Sequence, residues 1–283
     1  MATEVTAALI KELRERTGIG MGKCKEALEE AKGNMELAIA NLRKAGMASA
    51  VKKEGRATNE GMIGASENGS AVALVEVNAE TDFVVKNDRF KAFLDSLVEE
   101  ALATKPTSLE AFMQQKYSKD TSLTIDQYRA IVIQAIGENI QVRRVLVMPK
   151  PSNKSLGLYS HLGGKIVTLV EITGSNKEEA LAKDIAMHVA AASPEYLSPD
   201  AVPAAVLESE RDIVKGQIKD KPAHMVDKIA EGKIKAYLDA NCLICQPYIR
   251  DDSLTVAQLV EKHAKNGNSP LKVTHFLRWN VGQ

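Results

Sequence analysis

An internal repeat constrains the fold more than any other feature of this chain. Residues 69–77, with the sequence GSAVALVEV, align with residues 164–172, with the sequence GKIVTLVEI. Each segment is a short run rich in β-branched residues, and a glycine-bearing turn joins it to an extended stretch before it. Both halves are therefore predicted to begin with a β-hairpin. An amphipathic helix follows each hairpin, at residues 88–103 and 176–192, because the apolar residues there recur at helical spacing.

Each half also ends in a further extended run, at residues 140–145 and 273–281. One hairpin and one more strand predict a three-stranded antiparallel sheet in each half, with helices packed beside it. The chain is therefore expected to adopt an α+β fold made of two related subdomains.

The second half is longer than the first by roughly forty residues between its hairpin and its last strand. The additional residues carry a helical apolar pattern that includes Ile213, Val214 and Ile218, stops at Lys221-Pro222 and then resumes. This pattern predicts a helical hairpin, in the manner of a short antiparallel coiled coil, over residues 198–242. Such a hairpin projects from the body, where it can contact a partner or a second copy of the chain.

Before the repeat, residues 1–46 contain three short stretches of helical periodicity. Thr6 and Asn34 are plausible N-caps, and Gly18 and Gly33 end the first two helices. Each apolar face is too small to be stable alone, so the three helices are expected to pack as one bundle. Residues 47–60 are predicted to be a linker, because they mix glycine with a run of basic residues and show no apolar periodicity.

The charge balance argues against a bulk electrostatic interaction with nucleic acid. Lysine plus arginine and aspartate plus glutamate each number 37, whereas nucleic-acid-binding domains usually carry a basic excess. The N-terminus has no signal-peptide pattern and no apolar run is long enough to span a membrane. Three cysteines are typical of a reducing compartment, so a cytoplasmic location is expected.

Catalytic and metal-binding motifs are not found in the sequence. Cys242 and Cys245 form a lone Cys-x-x-Cys, without the second pair of ligands that zinc needs. His188 lies on the apolar side of its helix, which is typical of a structural histidine. No hydrolase, metalloprotease, phosphate-loop or dinucleotide fingerprint occurs. We therefore expect a binding protein rather than an enzyme, with no cofactor and no metal.

The stretch Thr81-Asp82-Phe83-Val84 lies where the first buried strand gives way to a helix. Taken alone, these residues predict that Asp82 caps the helix and that Phe83 packs inward. At the end of a later helix, Gly137 is expected to be a terminating glycine with positive φ.

Two longer motifs change that interpretation. Residues 13–28, with the sequence LRERTGIGMGKCKEAL, resemble the first signature of the translation elongation factor Ts family. Residues 76–86, with the sequence EVNAETDFVVK, resemble its second signature, although Val85 stands where a small residue is usual. Shorter matches occur at residues 136–140, 161–164, 188–191 and 246–248.

The resemblance implies a definite domain organisation. Residues 1–46 would form a three-helix head similar to a ubiquitin-associated (UBA) domain, and residues 61–150 the first core subdomain. Residues 151–197 and 243–283 would form the second core subdomain, with the coiled-coil hairpin inserted at 198–242. Some members of the family continue into a C-terminal helical module. Any contact that this module makes is expected to be missing here.

The function that the resemblance implies is guanine-nucleotide exchange on the GTPase elongation factor Tu. Phe83 would wedge between helices of the GTPase domain with Asp82 beside it, displacing Mg²⁺ and promoting GDP release. Ile136 and Gly137 would press near the phosphate loop, the head would bind another helix, and His161 another domain. The implied partner-binding residues are Thr81, Asp82, Phe83 and Val84 for the metal, and Leu13, Arg14, Thr17, Gly18, Met21, Lys25, Ile136, Gly137 and His161 elsewhere.

Three alternatives stay open at this point. The head and the basic linker could bind nucleic acid, which predicts a steep salt dependence of binding. Cys242 and Cys245 could serve a thiol enzyme, which predicts that alkylation abolishes activity. Finally, the helical hairpin could join two copies of the chain in a homodimer. The two long motifs favour the exchange factor, which needs no membrane and no direct contact with nucleic acid.

Overall fold

The computed structural model describes residues 4–217, 223–267 and 269–283. The chain forms two compact units. The first comprises Met1–Pro149, Gly163–Lys165 and Asn280–Gln283, and the second comprises Lys150–Leu162 and Ile166–Trp279. Helices combine with small antiparallel sheets, so the predicted α+β class is confirmed. Within the described ranges, no helix is both long enough and apolar enough to cross a lipid bilayer.

Three helices open the first unit: α1 (Ala7–Thr17), α2 (Met21–Glu30) and α3 (Met35–Lys53). The predicted caps are confirmed, because the side chains of Thr6 and Asn34 accept hydrogen bonds from Leu9 N and Leu37 N. The helices enclose a small apolar core, as the weak individual faces required. Its buried members include Leu13, Ile19, Cys24, Leu28, Ala38 and Leu42.

The rest of the first unit is a sheet with helices packed on it. Its central strand, β2 (Ala71–Ala79), lies antiparallel between β1 (Glu60–Glu67) and β5 (Ile140–Pro149). Helix α5 (Asp88–Thr104) packs on the sheet and buries Phe90, Phe93 and Leu97. The elements are β1 (Glu60–Glu67), β2 (Ala71–Ala79), α4 (Asp82–Val85), α5 (Asp88–Thr104), α6 (Leu109–Gln114), β3 (Lys116–Tyr117), β4 (Asp120–Thr124), α7 (Ile125–Ile136) and β5 (Ile140–Pro149).

The predicted linker at residues 47–60 is wrong for its first half, because α3 continues to Lys53. Gly46 and Ala50 are buried along this part of the helix, which packs against α7. A Cβ atom on Gly46 would lie 3.1 Å from Gln134 Oε1 and 3.4 Å from the Ala130 carbonyl oxygen. Small residues allow this close approach of the two helices. The last turns of α3 were not predicted because small residues give little apolar periodicity.

The second unit repeats the strand–helix arrangement. Its sheet has β7 (Ile166–Thr173) between β10 (Lys272–Asn280) and β6 (Lys154–His161), and α8 (Glu179–Ala192) packs on it. Helix α8 begins at Glu179, later than the predicted 176, without a side-chain cap. The elements are β6 (Lys154–His161), β7 (Ile166–Thr173), α8 (Glu179–Ala192), α9 (Ala204–Gln217), α10 (Ala223–Asn241), β8 (Pro247–Tyr248), β9 (Asp251–Thr255), α11 (Val256–Gly267) and β10 (Lys272–Asn280), with 3-10 turns at Pro199–Ala201 and Leu243–Cys245.

Helices α9 and α10 occupy the predicted insertion and contact each other. Val214 and Ile234 are buried, whereas Ile213 is half exposed. The predicted Ile218 and the break at Lys221-Pro222 lie outside the described residues. The coiled-coil character of this segment therefore stays a prediction.

The repeat extends further than the sequence comparison predicted. Each half contains a two-stranded hairpin, β3–β4 or β8–β9, directly before a helix. Helix α7 begins with a capping box of Thr124 and Gln127, and α11 with the same reciprocal bonds between Thr255 and Gln258. The strands are too short to give an alternating pattern, so only the capping residues carry the signal.

Corresponding glycines set how closely a helix approaches each hairpin. Gly64 in β1 pairs with Val75, and Gly157 in β6 pairs with Val170. A Cβ atom on Gly64 would lie 2.7 Å from a Val98 side-chain atom, whereas one on Gly157 would lie 2.1 Å from backbone atoms of α8. Side chains can turn away, but the backbone of a packed helix cannot move without disturbing the core.

We predict that Gly157→Ala destabilises the protein by about 3 kcal/mol or more, the upper range for overpacking, because α8 must be displaced. Gly64→Ala is the matched control, and it should cost about 1 kcal/mol since only the side chains of Val98 and Leu94, and no backbone atoms, obstruct it. Urea unfolding of both variants measures the difference. Equal losses in the two variants would contradict the assignment of backbone contact at Gly157.

His188 is a buried histidine in the neutral form. The Ile249 N–H donates to Nδ1 at 3.3 Å, so the ring proton resides on Nε2 and points to Gln246 Oε1 at 2.9 Å. Burial lowers the pKa of His188, and its hydrogen bond with Gln246 opposes that shift. The structural role predicted for this histidine is consistent with these contacts.

The lowered pKa of His188 predicts a dependence of stability on pH. The unfolded imidazole, with a pKa of about 6.5, takes up a proton before the folded one does, so unfolding is favoured as pH falls below that value. The melting temperature of the wild type should fall between about pH 7.5 and pH 5.5, and this fall should be smaller in His188→Gln. His263→Gln, at an exposed position on α11, is the control and should keep the wild-type slope. A wild-type slope in His188→Gln would exclude the buried ring as its source.

Candidate functional site

The turn after β2 presents an aromatic ring to solvent. Thr81 caps the short helix α4 by accepting a hydrogen bond from Val84 N, whereas a cap by Asp82 was expected from the residues alone. Val84 and Val85 are buried in the core, but Phe83 is 80% exposed. The inward packing that the isolated motif suggested is therefore wrong. The two valines anchor the turn, and the ring projects from its opposite side.

Exposure of Phe83 is unusual for this chain. The sequence contains five phenylalanines. Phe90, Phe93 and Phe112 are fully buried, and Phe276 is partly buried. Fully burying such a side chain stabilises a protein by about 1.5–3 kcal/mol, so the fold gains nothing comparable from Phe83. An exposed aromatic ring on a well-anchored turn is typical of a site that binds another molecule.

Asp82 lies beside the ring with its carboxylate accessible. Its Oδ2 is 2.7 Å from Lys86 Nζ, one turn further along the chain. The hydrogen bond from Lys86 holds the pKa of Asp82 below its usual value, so the carboxylate is ionised at neutral pH. The Lys86 side chain is largely exposed and that of Asp82 about half-exposed, and such a pair contributes little to stability. The carboxylate can therefore exchange this partner for another donor.

A second turn, at the end of α7, lies beside the first. Gly137 has φ 97° and its N–H donates to the Ile133 carbonyl at 2.8 Å, which confirms the predicted terminating glycine. Ile136 is half-buried, and Gly137 is exposed. Lys53 Nζ donates to the Gly137 carbonyl at 2.8 Å, which ties the end of α3 to this turn.

Two glutamates connect the turns reciprocally, and neither was singled out from the sequence. Glu138 accepts hydrogen bonds from Thr81 N at 3.0 Å and from Thr81 Oγ1 at 2.7 Å. Glu80 accepts one from Asn139 N at 2.6 Å. Each acid stands next to a predicted site residue, but its partner lies almost sixty positions away. Nothing in the local pattern indicates that pairing.

The head contributes to the same surface. A cleft of about 380 Å³ is lined by Phe83, Val84 and Ile136 together with Arg14 and Gly18 of the head. The guanidinium group of Arg89, at the start of α5, donates a hydrogen bond to the Gly18 carbonyl. Five of the predicted site residues thus meet around one cleft, although they come from three separate segments of the chain.

Other predicted site residues of the head differ in accessibility. Met21 is 54% exposed, and Lys25 is exposed beside Glu29. Thr17 is half-buried, and its Oγ1 donates to the Leu13 carbonyl at 2.7 Å. Leu13 has 0% exposure and belongs to the core of the head. Its prediction as a direct partner contact is wrong, because its side chain offers no surface. Leu13 instead supports the helix that carries Arg14.

His161 belongs to the second unit, at the end of β6. Its side chain is exposed and lies against Tyr159, with 3.1 Å between Nδ1 and the phenol oxygen and 5.9 Å between the ring centroids. The tyrosine thus holds the imidazole in one orientation at the surface.

The cysteine pair has no metal-binding partners nearby. Among the residues that the structure describes, no group of three or more His, Cys, Asp or Glu side chains is arranged to hold a metal ion. Burial raises the pKa of the Cys242 thiol to about 11, so this thiol is protonated at neutral pH. A protonated, fully buried thiol is a poor nucleophile.

Comparison with known proteins identifies related sequences over almost the whole chain. The sequence profile of the family described as Elongation factor TS matches residues 80–283. Elongation factor Ts of Protochlamydia amoebophila (strain UWE25) is 67% identical over 279 residues, which cover 99% of each chain. Elongation factor Ts of Chlamydia muridarum (strain MoPn / Nigg) is 48% identical over 273 residues, which cover 96% of this chain and 97% of the relative.

Proposed function

Because the chain belongs to the elongation factor Ts family, we propose that it is a guanine-nucleotide exchange factor of protein synthesis that acts on the GTPase elongation factor Tu. The observation that carries this proposal is the exposed Phe83 ring on a turn whose neighbours Val84 and Val85 are buried. An anchored ring of this kind can enter a partner without first paying the cost of ordering its own backbone.

Thermodynamic linkage explains how binding would release GDP. A protein that binds the nucleotide-free GTPase more tightly than the GDP-bound form must weaken GDP binding by the same coupling free energy. In such GTPases Mg²⁺ bridges the phosphates and protein side chains, so a small displacement of those side chains loosens the nucleotide. The action is binding between proteins, and no covalent bond of the nucleotide is broken.

The two turns and the head have separate roles in this proposal. Phe83 inserts between helices of the GTPase domain, with Thr81 and Val84 supporting it and Asp82 making a polar contact beside it. Ile136 and Gly137 press near the phosphate-binding loop. Arg14, Thr17, Gly18, Met21 and Lys25 bind a further helix of the same domain, and His161 binds a different domain. Support for this division comes from the shared cleft and from the exposure of Met21 and His161.

We also propose the finer domain assignment on the basis of the family. The head at residues 1–46 is UBA-like, and residues 61–150 form the first core subdomain. Residues 151–197 and 243–283 form the second, with a coiled-coil hairpin inserted at 198–242. A homodimer through that hairpin stays a prediction. Because factors of this family act in protein synthesis, we expect this protein to be located in the cytoplasm.

Release of a fluorescent GDP analogue from elongation factor Tu tests the function directly. Catalytic amounts of the protein should accelerate release in the presence of excess unlabelled nucleotide. An unchanged release rate at saturating protein would exclude the exchange function.

Phe83→Ala should weaken binding to nucleotide-free elongation factor Tu by about 2 kcal/mol or more, which is roughly thirtyfold in affinity. The melting temperature should not change, because the ring is 80% exposed. Val51→Ala is the matched control, since it also removes an exposed apolar side chain, 67% exposed, but outside the proposed site. Titration calorimetry and GDP release measure the effect. A wild-type release rate in Phe83→Ala would refute the wedge assignment.

A further inference from the structure

The contacts between the two turns go beyond what simple packing requires. Both carboxylate oxygens of Glu138 are used on one residue: Oε2 accepts from Thr81 N and Oε1 accepts from Thr81 Oγ1. Thr81 Oγ1 in turn accepts from Val84 N at 3.4 Å and so fixes the start of α4. The carboxylate of Glu138 is thus turned toward the Phe83 turn rather than outward toward a partner.

A reciprocal contact runs in the opposite direction. Glu80, directly before Thr81, accepts a hydrogen bond from Asn139 N, directly after Glu138. Two carboxylates therefore cross the gap between the turns, and each holds the backbone of the other segment. Hydrogen bonds to a charged acceptor are about twice as strong as neutral ones, so this arrangement resists both sliding and separation of the turns.

The segment that follows α3 strengthens the same connection. Asn139 is fully buried, and its Nδ2 donates to the carbonyl oxygens of Arg56 at 2.9 Å and Glu54 at 3.3 Å. The Arg56 guanidinium lies 3.4 Å from Glu80 Oε1. The segment directly after the last helix of the head is thereby connected to both turns through side-chain contacts.

We propose that Glu138 is a positioning residue that makes the Phe83 turn and the Ile136–Gly137 turn one rigid element. This inference rests on the exchange function proposed above. The Phe83 ring can displace side chains of the nucleotide site only if the turn that carries the ring does not move in response. Glu138 supplies that support by fixing the distance between the two turns.

The proposal predicts that loss of Glu138 lowers the maximal rate of GDP release but leaves the half-saturating concentration nearly unchanged. In this proposal the head and His161 supply binding surfaces that Glu138 does not contact, so the half-saturating concentration for GDP-bound elongation factor Tu should change by less than about twofold. The displacement step needs the two turns held together. Glu138→Ala should therefore reduce the maximal rate of GDP release by about tenfold, comparable to the loss of one hydrogen bond to a charged group.

Three further variants separate positioning from general stability. Glu138→Gln should stay within about threefold of the wild type, because its amide can accept from Thr81 N and donate to Thr81 Oγ1. Glu99→Ala is the matched control: it removes a surface glutamate of the same unit, paired with Lys119 at 2.7 Å, and should release GDP at the wild-type rate. Adding Glu138→Ala to Phe83→Ala should slow release by less than about twofold further, because Glu138 acts through the ring.

A wild-type maximal rate in Glu138→Ala would overturn this inference while leaving the exchange function intact. A full tenfold loss in the Phe83→Ala background would also overturn it, since Glu138 would then act independently of the ring. Failure of the wild-type protein to release GDP would instead reject the exchange function itself. Amide hydrogen exchange on the free protein tests the contact separately: exchange at Thr81 N should accelerate in Glu138→Ala, and unchanged protection there would show that the contact does not exist in solution.

Discussion

The site depends on the burial of Val84 and Val85, which fixes the turn that carries Phe83. A four-residue helix has almost no intrinsic stability, because nucleating a helix costs more than one turn returns. Here the two valines pack into the core of the first unit, and Thr81 closes the first turn with its side chain. Since the core holds two neighbours of the ring, the backbone of the turn cannot rotate to bring the ring inward. Tertiary packing, rather than local propensity, is therefore what keeps Phe83 exposed.

The repeat made much of the fold predictable from the sequence. The two hairpins align, with Glu76 corresponding to Glu171. This alignment predicted both sheets and the antiparallel pairing of the first two strands in each sheet. In the structure each of these buried acids has a basic partner, Arg144 for Glu76 and Lys154 for Glu171. Runs of β-branched residues and glycine turns are local signals, and they were sufficient for these elements. The last turns of α3 were missed because small residues pack there by close approach, which leaves little periodic signal.

The candidate site was less accessible to sequence reasoning. Phe83 and Gly137 could be named from motifs, and the φ of Gly137 followed from its place at the end of a helix. The direction of the Phe83 ring could not be obtained from local residues, which favoured inward packing. Leu13 illustrates the opposite error, because a motif match does not distinguish a contact residue from one that supports it. Burial decides both cases, and it is a property of the whole fold.

Glu80 and Glu138 show why the remaining part of the site required coordinates. Each acid belongs to a family motif, but its local sequence indicates only an ordinary solvated charge. Their function as connectors arises because β2 and β5 are adjacent and antiparallel, which places the end of one strand opposite the start of the other. The proposed displacement of part of the partner would need such long-range connections, because a turn without them would move its own backbone instead of the partner's.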